Sequence, residues 1–253
     1  NKDGPPLDFL DTEQVIDRYY PHCEALLKQV LGGPDNKNKV AMVKAFDHNI
    51  RISDGGSSND GDLKGGGQAK TQGPVGVVHG DYTETSGPKR LHDLGQPPKA
   101  NDVLKERLGE TPLLDPDMVQ NILDGKQQQG KGRRQRRFAL INVWRNIDPE
   151  HPIPRLPLAC VDATTVSPDD LRIFKIHYPD RVGQNYFVAP SHQHEWNYFP
   201  QMTHGEALLI KQWDSFGDFA LSNHHKEQDD TTKNNGLSTF ALHSAFLDPT
   251  TKE

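Results

Sequence analysis

His79 and Asp81 stand two residues apart in the stretch VHGDYT, with Gly80 between them. On an extended strand residues i and i+2 point the same way, so one imidazole and one carboxylate can meet a single metal ion. Gly80 points to the other face and leaves room for close packing. Two ligands do not make a site, and a third has to come from another strand. His243, in the late apolar stretch TFALHSAF, is the expected partner. His79, Asp81 and His243 would then form a two-His, one-carboxylate face, a donor set that leaves open positions on Fe(II) for an oxidant and a substrate. The bland alternative is a hydrogen-bonded structural histidine on an ordinary strand.

Other residues compete for chemistry. His192 and His194 share the two-apart spacing in SHQHEW and, with Glu195 and His204, offer the ligand set of a cupin-like dioxygenase. His48 in AFDHNIR reads as a structural hydrogen-bonder, and His224–His225 as solvated. Arg145 in NVWR places a cation on an apolar strand, where an arginine is seldom left unpaired. It either grips a carboxylate of a co-substrate bidentately or pairs with Asp162 or Asp214. Tyr82, just beyond the H-x-D, is expected at a pocket mouth. Trp144 beside Arg145, and Lys211 and Trp213 in KQWDS, are the substrate-contact candidates, although strand-end packing is the simpler reading of Trp213.

These residues need a scaffold that brings early and late strands together. Residues 12–31 carry a helical pattern interrupted by Pro21, which predicts two short helices ended by Gly32-Gly33-Pro34. Strands are expected over 40–52, 75–83, 137–147, 151–166, 169–178, 184–190, 206–215 and 237–246, and a helix over 111–123. The segments 54–70, 125–137 and 223–236 read as flexible loops. Many short strands separated by long connections predict a mainly β chain. A double-stranded β-helix (jelly roll) with peripheral, mostly N-terminal helices fits best, as one domain over 1–253 with its helical part in 1–39. A non-catalytic β-sandwich binding module has the same pattern.

Composition narrows the function classes. A net charge of −6 gives no general attraction to nucleic acid or an anionic membrane. Two cysteines, Cys23 and Cys160, cannot build a disulfide scaffold. No apolar run approaches the roughly 20 residues of a membrane helix, and NKDGPPLDFL lacks a basic-then-apolar signal pattern, so a cytoplasmic protein is expected. The chain has no G-x-S-x-G elbow, Walker loop or G-x-G-x-x-G. The basic run in 125–137 reads as a solvated loop. A small-molecule substrate is the expected partner, and homodimerisation is left open.

Six blocks occur in a fixed order: AFDHNIR, VHGDYT, FALINVWRNI, PLACVDATTV, WNYFPQMTHGEALLIKQWDS and ALHSAF. From about residue 40 onward the chain thereby resembles the fungal hydroxylase/desaturase family labelled CmcJ-like or AsaB-type, which includes the gibberellin desaturase. The resemblance implies a double-stranded β-helix and an Fe(II)- and 2-oxoglutarate-dependent dioxygenase. Such an enzyme uses O2 to hydroxylate, desaturate or cyclise a small molecule of secondary metabolism. It implies His79, Asp81 and His243 as the iron ligands. In such enzymes an arginine beyond the H-S-A-F block usually grips the far carboxylate of 2-oxoglutarate. Residues 247–253 contain none, which makes Arg145 the cation expected in that role.

Overall fold

The computed structural model describes residues 6–36, 40–52, 71–124, 136–177, 182–222 and 236–250. Among the described residues, eight strands make two antiparallel sheets. The larger joins β1 (His79–Gly80), β3 (Leu158–Val161), β4 (Leu171–His177), β5 (Val182–Val188), β6 (Trp196–Tyr198) and β8 (His243–Ala245) in the order β4-β5-β1-β8-β3-β6. The smaller pairs β2 (Ala139–Arg145) with β7 (Ala207–Asp214). The chain crosses to the smaller sheet only for β2 and β7, and the late β8 is inserted beside the early β1. This is the jelly-roll arrangement expected from many short strands.

The N-terminal helical part is continuous, not two helices. Thr12–Gln14 (α1), capped by the Asp11 carboxylate, runs through a π-helical turn, Val15–Tyr19, into Tyr20–Gly32 (α2). Pro21 follows the π-helical turn, which Tyr20 N closes on the Val15 carbonyl, and that wider turn makes room for a ring without an N–H inside the continuous helix. Gly33 stops the helix with a φ of 67°. The helix expected over 111–123 is Pro116–Asp124, and the Asp115 carboxylate caps it by accepting from Met118 N at 2.7 Å.

Three sequence expectations need correction. Residues 40–52 alternate like a strand but join neither sheet. Their bonds go elsewhere: Ala45 N to the Glu24 carboxylate of α2, the His48 ring to the Tyr20 hydroxyl, and one parallel bridge between Arg51 and Gln72. The strand expected over 75–83 pairs only at His79–Gly80, and that over 237–246 only at His243–Ala245. The helices lie mostly toward the N-terminus, as expected: Ser86–Leu94, Lys105–Leu108 and Pro116–Asp124 follow the N-terminal helix in the first half of the chain, and Asp218–Ser222 comes late. The expected loop 54–70, and most of 125–137 and 223–236, lie outside the described residues. Among the described residues no helix is long and apolar enough to cross a membrane.

The main core forms where the sheets and helices meet: Leu91, Val119, Leu140, Val161, Tyr186, Trp213, Phe240 and Leu242 are all buried there. Trp213 is only 1% exposed and lies parallel to the Phe240 ring at 6.3 Å. Gly87, in the first turn of the Ser86–Leu94 helix, is glycine for a reason. A Cβ there would lie 2.6 Å from the Trp213 ring.

Candidate metal centre

In the register of the larger sheet His79 is paired with His243 across β1 and β8. Directly paired residues carry their side chains on the same face. The two imidazoles accordingly sit side by side, with ring centroids 4.5 Å apart, and both are buried. Gly80 takes the opposite face, where a Cβ would already meet the Leu242 side chain at 3.3 Å. Asp81 leaves the strand end on the histidine side, its Oδ1 3.5 Å from His79 Nε2. One ligand atom from each of His79, Asp81 and His243 lies within 4.8 Å of the other two.

The hydrogen bonds around these residues set their chemistry. His79 Nδ1 is 2.8 Å from the Val77 carbonyl, and His243 Nδ1 is 3.1 Å from the Ala241 carbonyl. A carbonyl only accepts, so in both rings Nδ1 carries the proton and Nε2 presents a lone pair. Burial, and then the neighbouring His243, hold the His79 pKa below its ordinary value, and the proximity of Asp81 opposes them. Neutral imidazole is the form that ligates a metal. Asn142 Nδ2, on β2, donates to Asp81 Oδ2 at 3.2 Å and leaves Oδ1 turned toward the histidines. The donor set fits a mononuclear metal held from one side, with orienting bonds behind all three ligands.

The register extends this face. Arg172, Phe187, His79, His243, Cys160 and Asn197 form one row across β4, β5, β1, β8, β3 and β6. Phe187 stands next to His79 and stacks on Phe174 at 4.6 Å with 14° between the ring planes. Phe174 is 40% exposed, so an accessible aromatic wall flanks the histidines. Asn142, Phe174 and Phe187 were not singled out from sequence. The alternation in DDLRIFKIHY and QNYFVAP was visible, but only the pairing register sets their rings beside His79.

The other site candidates go elsewhere. Val143 and Arg145 alternate with Asn142 and Trp144 along β2, and the register with β7 is regular there, so Arg145 faces away from Asp81. It donates to the His204 carbonyl at 2.7 Å and lies over the Tyr19 ring. With Tyr19, Cys23, Leu26, Val143 and Leu209 it lines a cleft of about 330 Å³ between the N-terminal helix and the outer face of the small sheet. Asp162 caps Thr164, and Asp214 is held by Arg137, with Nε–Oδ1 at 2.9 Å, so neither expected partner meets Arg145. Lys211 donates to the Ser238 carbonyl at 3.0 Å and pairs with Asp214 at 3.2 Å. Trp213 is core. Tyr82 packs against that core beside Arg90, not at a pocket mouth, and burial above all pushes its hydroxyl pKa up. Trp144 keeps the Asn142 face.

The cupin-like set does not assemble. His194 Nε2 is bonded to Asp170 at 3.1 Å, while His192, Glu195 and His204 are exposed. Among the described residues, His79, Asp81 and His243 are the only three His, Cys, Asp or Glu side chains that converge. His48 bonds the Tyr20 hydroxyl at 2.9 Å, and His224–His225 lie outside the described residues.

Comparison with known proteins follows the same lines. The chain is 39% identical over 143 residues to an uncharacterized protein in the dcmA 3′ region of Methylophilus leisingeri, covering 56% of this chain and 57% of that protein. It is 38% identical over 103 residues to hydroxylase/desaturase CTB9 of Cercospora beticola, covering 37% of this chain and 31% of that protein. The chain thus spans less than two thirds of the length of these relatives. In fold it is similar to the iron and alpha-ketoglutarate-dependent endoperoxidase NvfI, with a TM-score of 0.62 over 99% of this chain and 70% of that one, at 18% identity. Residues 2–111 and 110–253 match the family described as oxidoreductase/YMDC permease-like domain, and the chain belongs to that family.

Proposed function

We propose that this chain is an Fe(II)- and 2-oxoglutarate-dependent oxygenase that acts on C–H bonds of a small molecule by hydroxylation, desaturation or ring closure. One observation carries the reading: two Nε2 lone pairs and one carboxylate oxygen converge, each fixed by a bond behind it. The similarity to hydroxylase/desaturase CTB9 and to the iron and alpha-ketoglutarate-dependent endoperoxidase NvfI supports it. The net charge of −6 favours a small-molecule substrate over a nucleic acid. The whole of 1–253 would work as one domain in the cytoplasm.

His79, Asp81 and His243 would hold the iron. When bound, iron supplies O2 activation coupled to oxidative decarboxylation of 2-oxoglutarate. The protein's part is to orient. The Val77 and Ala241 carbonyls fix both imidazoles in the ligating tautomer, and Asn142 holds Asp81 so that one oxygen remains for the metal. Phe187 and Phe174 offer an apolar surface beside His79, and Trp144 faces the same way as Asn142. A substrate resting there presents its C–H bond to the ligand cluster.

Anaerobic addition of Fe(II) and 2-oxoglutarate should produce a weak visible charge-transfer band, and exposure to air should yield succinate. His79→Ala should abolish both. A wild-type protein that shows neither band nor succinate ends this reading, and a band that survives His79→Ala ends the ligand assignment.

A further inference from the structure

The N-terminal helix presents two stripes to the rest of the molecule, and only one of them is packed. Tyr20, Glu24 and Leu27 lie at i, i+4 and i+7 on the docked side. Tyr20 meets the His48 ring, Glu24 accepts from Ala45 N, and Tyr20 and Leu27 are buried. Tyr19, Cys23, Leu26 and Val30 repeat that spacing one residue earlier and turn toward Val143, Arg145 and Leu209 of the small sheet. These second faces do not close. A cleft of about 330 Å³ lies between them, and Leu26 and Val30 stay 37% and 52% exposed although they line it opposite apolar residues of the sheet. Apolar faces that confront each other normally reach close packing. Here the helix is fixed by its bonds to the 40–52 segment, and the gap is part of the fold.

One wall of the cleft carries a cation. Arg145 is half-buried; its Nε donates to the Asn146 carbonyl at 3.2 Å and its Nη2 to the His204 carbonyl at 2.7 Å. It forms no ion pair with any described residue. A guanidinium has five N–H donors in a planar fork matched to a carboxylate, and these two bonds leave the Nη1 donors of Arg145 without an acceptor among the described residues. The Tyr19 hydroxyl lies beside Arg145 and Cys23, and burial above all pushes its pKa up to about 12, so it keeps its proton and can donate. Glu206, the carboxylate among the lining residues, is engaged elsewhere: it accepts from Thr203 N and from Thr203 Oγ1, each at 2.8 Å. An unpaired cation beside an O–H donor, set in apolar walls, is complementary to a carboxylate on an apolar body. The volume stands at the lower end of the ~300–1,000 Å³ of small-molecule sites, which limits that body to a short chain or a single ring.

We propose that this cleft is a second ligand site, separate from the metal centre, for a small amphipathic monocarboxylate. The carboxylate is held by Arg145 and Tyr19, and the apolar body lies between Leu26 and Val30 of the helix and Val143 and Leu209 of the sheet. A ligand seated there completes the packing of the N-terminal helix on the small sheet. The His79–Asp81–His243 cluster takes no part in it, because Asn142, which bonds Asp81, occupies the opposite face of that sheet.

Octanoate is the probe, with octanol and octylamine as its neutral and cationic counterparts. The chain carries its own reporters: both cysteines are free thiols, Cys23 lines the cleft, and Cys160 is paired with His243 in the larger sheet. Alkylation by iodoacetamide is followed at each cysteine by mass spectrometry while ligand is added. Octanoate should slow the reaction of Cys23 saturably, leave Cys160 at its own rate, and bind about tenfold or more tightly than octanol. Arg145→Gln should lose that preference while binding octanol as wild type does, and Arg145→Lys should recover part of it. Should Arg145→Gln fail to fold, the wild-type ranking of the three ligands and the Arg145→Lys titration decide by the same criteria. The proposal is overturned if octanoate does not protect Cys23, or if it protects Cys160 instead, which would put the acid at the metal centre. It is also overturned if Arg145→Gln keeps the full preference, or if octylamine ranks first, which would make Glu206 the recognising group. No step of the test needs iron, so its failure leaves the oxygenase reading standing, and a protein that forms no succinate leaves the cleft to be judged by the alkylation rates alone.

Discussion

The two faces of the small β2–β7 sheet do opposite work. Asn142, Trp144, Leu208 and Ile210 share one face, and Asn142 reaches across to Asp81. Val143, Arg145, Ala207 and Leu209 share the other, against Tyr19, Cys23 and Leu26 of the N-terminal helix. Arg145 lies three positions after Asn142, and that odd offset puts them on opposite sides. A polar group on the first face can act on chemistry. On the second it can act only on the docking of the helix. The same sheet ends in a third environment, where Trp213 is sealed in the core.

The largest expected effect breaks the comparison at its source. His79→Ala or His243→Ala removes a ligand, and iron retained after anaerobic reconstitution should fall by more than about 100-fold in affinity, beyond the 10–100-fold typical of losing an orienting partner. The melting temperature should change little by comparison. Gly87→Ala should show the reverse. Its Cβ would lie 2.6 Å from a Trp213 ring that has no space to retreat. A loss of about 2–3 kcal/mol in urea unfolding is expected, with iron affinity in the folded fraction unchanged. If Gly87→Ala weakened iron binding without lowering stability, the separation between core and site would be wrong.

These two positions also show what was legible in sequence. His79 and Asp81 could be paired because a two-residue period needs no tertiary information, and His243 stood out as a polar residue in an apolar run. The jelly roll could be anticipated from the number and shortness of the strands. Failures came where long-range contact overrides local pattern. The Ser86–Leu94 helix carries Gly87 and Pro88 in its first turn, poor helix formers in isolation, and Gly87 is required by Trp213, more than 100 residues away. Residues 40–52 alternate convincingly, yet they spend their bonds on the N-terminal helix and Gln72. β6 (Trp196–Tyr198) is an exposed edge strand, with no buried face to betray it. Which face of β2 meets the site depends on a contact between Asn142 and Asp81, 61 residues apart.

The middle pair of predictions tests the two faces directly. Asn142→Ala frees Asp81 to rotate, and iron affinity should fall by about tenfold, the lower end of what an orienting partner contributes. Stability should hold, because Asn142 is an exposed residue. Arg145→Ala removes the bond to the His204 carbonyl and the contact with the Tyr19 ring. It should lower stability by about 1 kcal/mol and leave iron affinity alone. Equal iron loss in both variants would mean that the faces communicate through the sheet. Loss only in Arg145→Ala would return the arginine to the site.

The smallest effect concerns the joint between the N-terminal helix and the segment that carries Arg51. His48 Nδ1 meets the Tyr20 hydroxyl at 2.9 Å, and burial holds the His48 pKa below its ordinary value. The folded protein therefore favours neutral His48, and on acidification the unfolded chain takes up the proton first. Where the unfolded state binds more protons, stability rises with pH. The contribution is complete above the unfolded histidine value of about 6.5 and is lost as pH falls from there through the lowered folded pKa. Urea midpoints of metal-free protein should accordingly decline below that pH. Other groups titrate in the same range, so the His48 share is read as a difference. His48→Gln keeps a hydrogen-bonding group near Tyr20 but has nothing to protonate, and its midpoints should decline less steeply than those of wild type. Parallel curves for the two proteins would show that this joint does not sense pH.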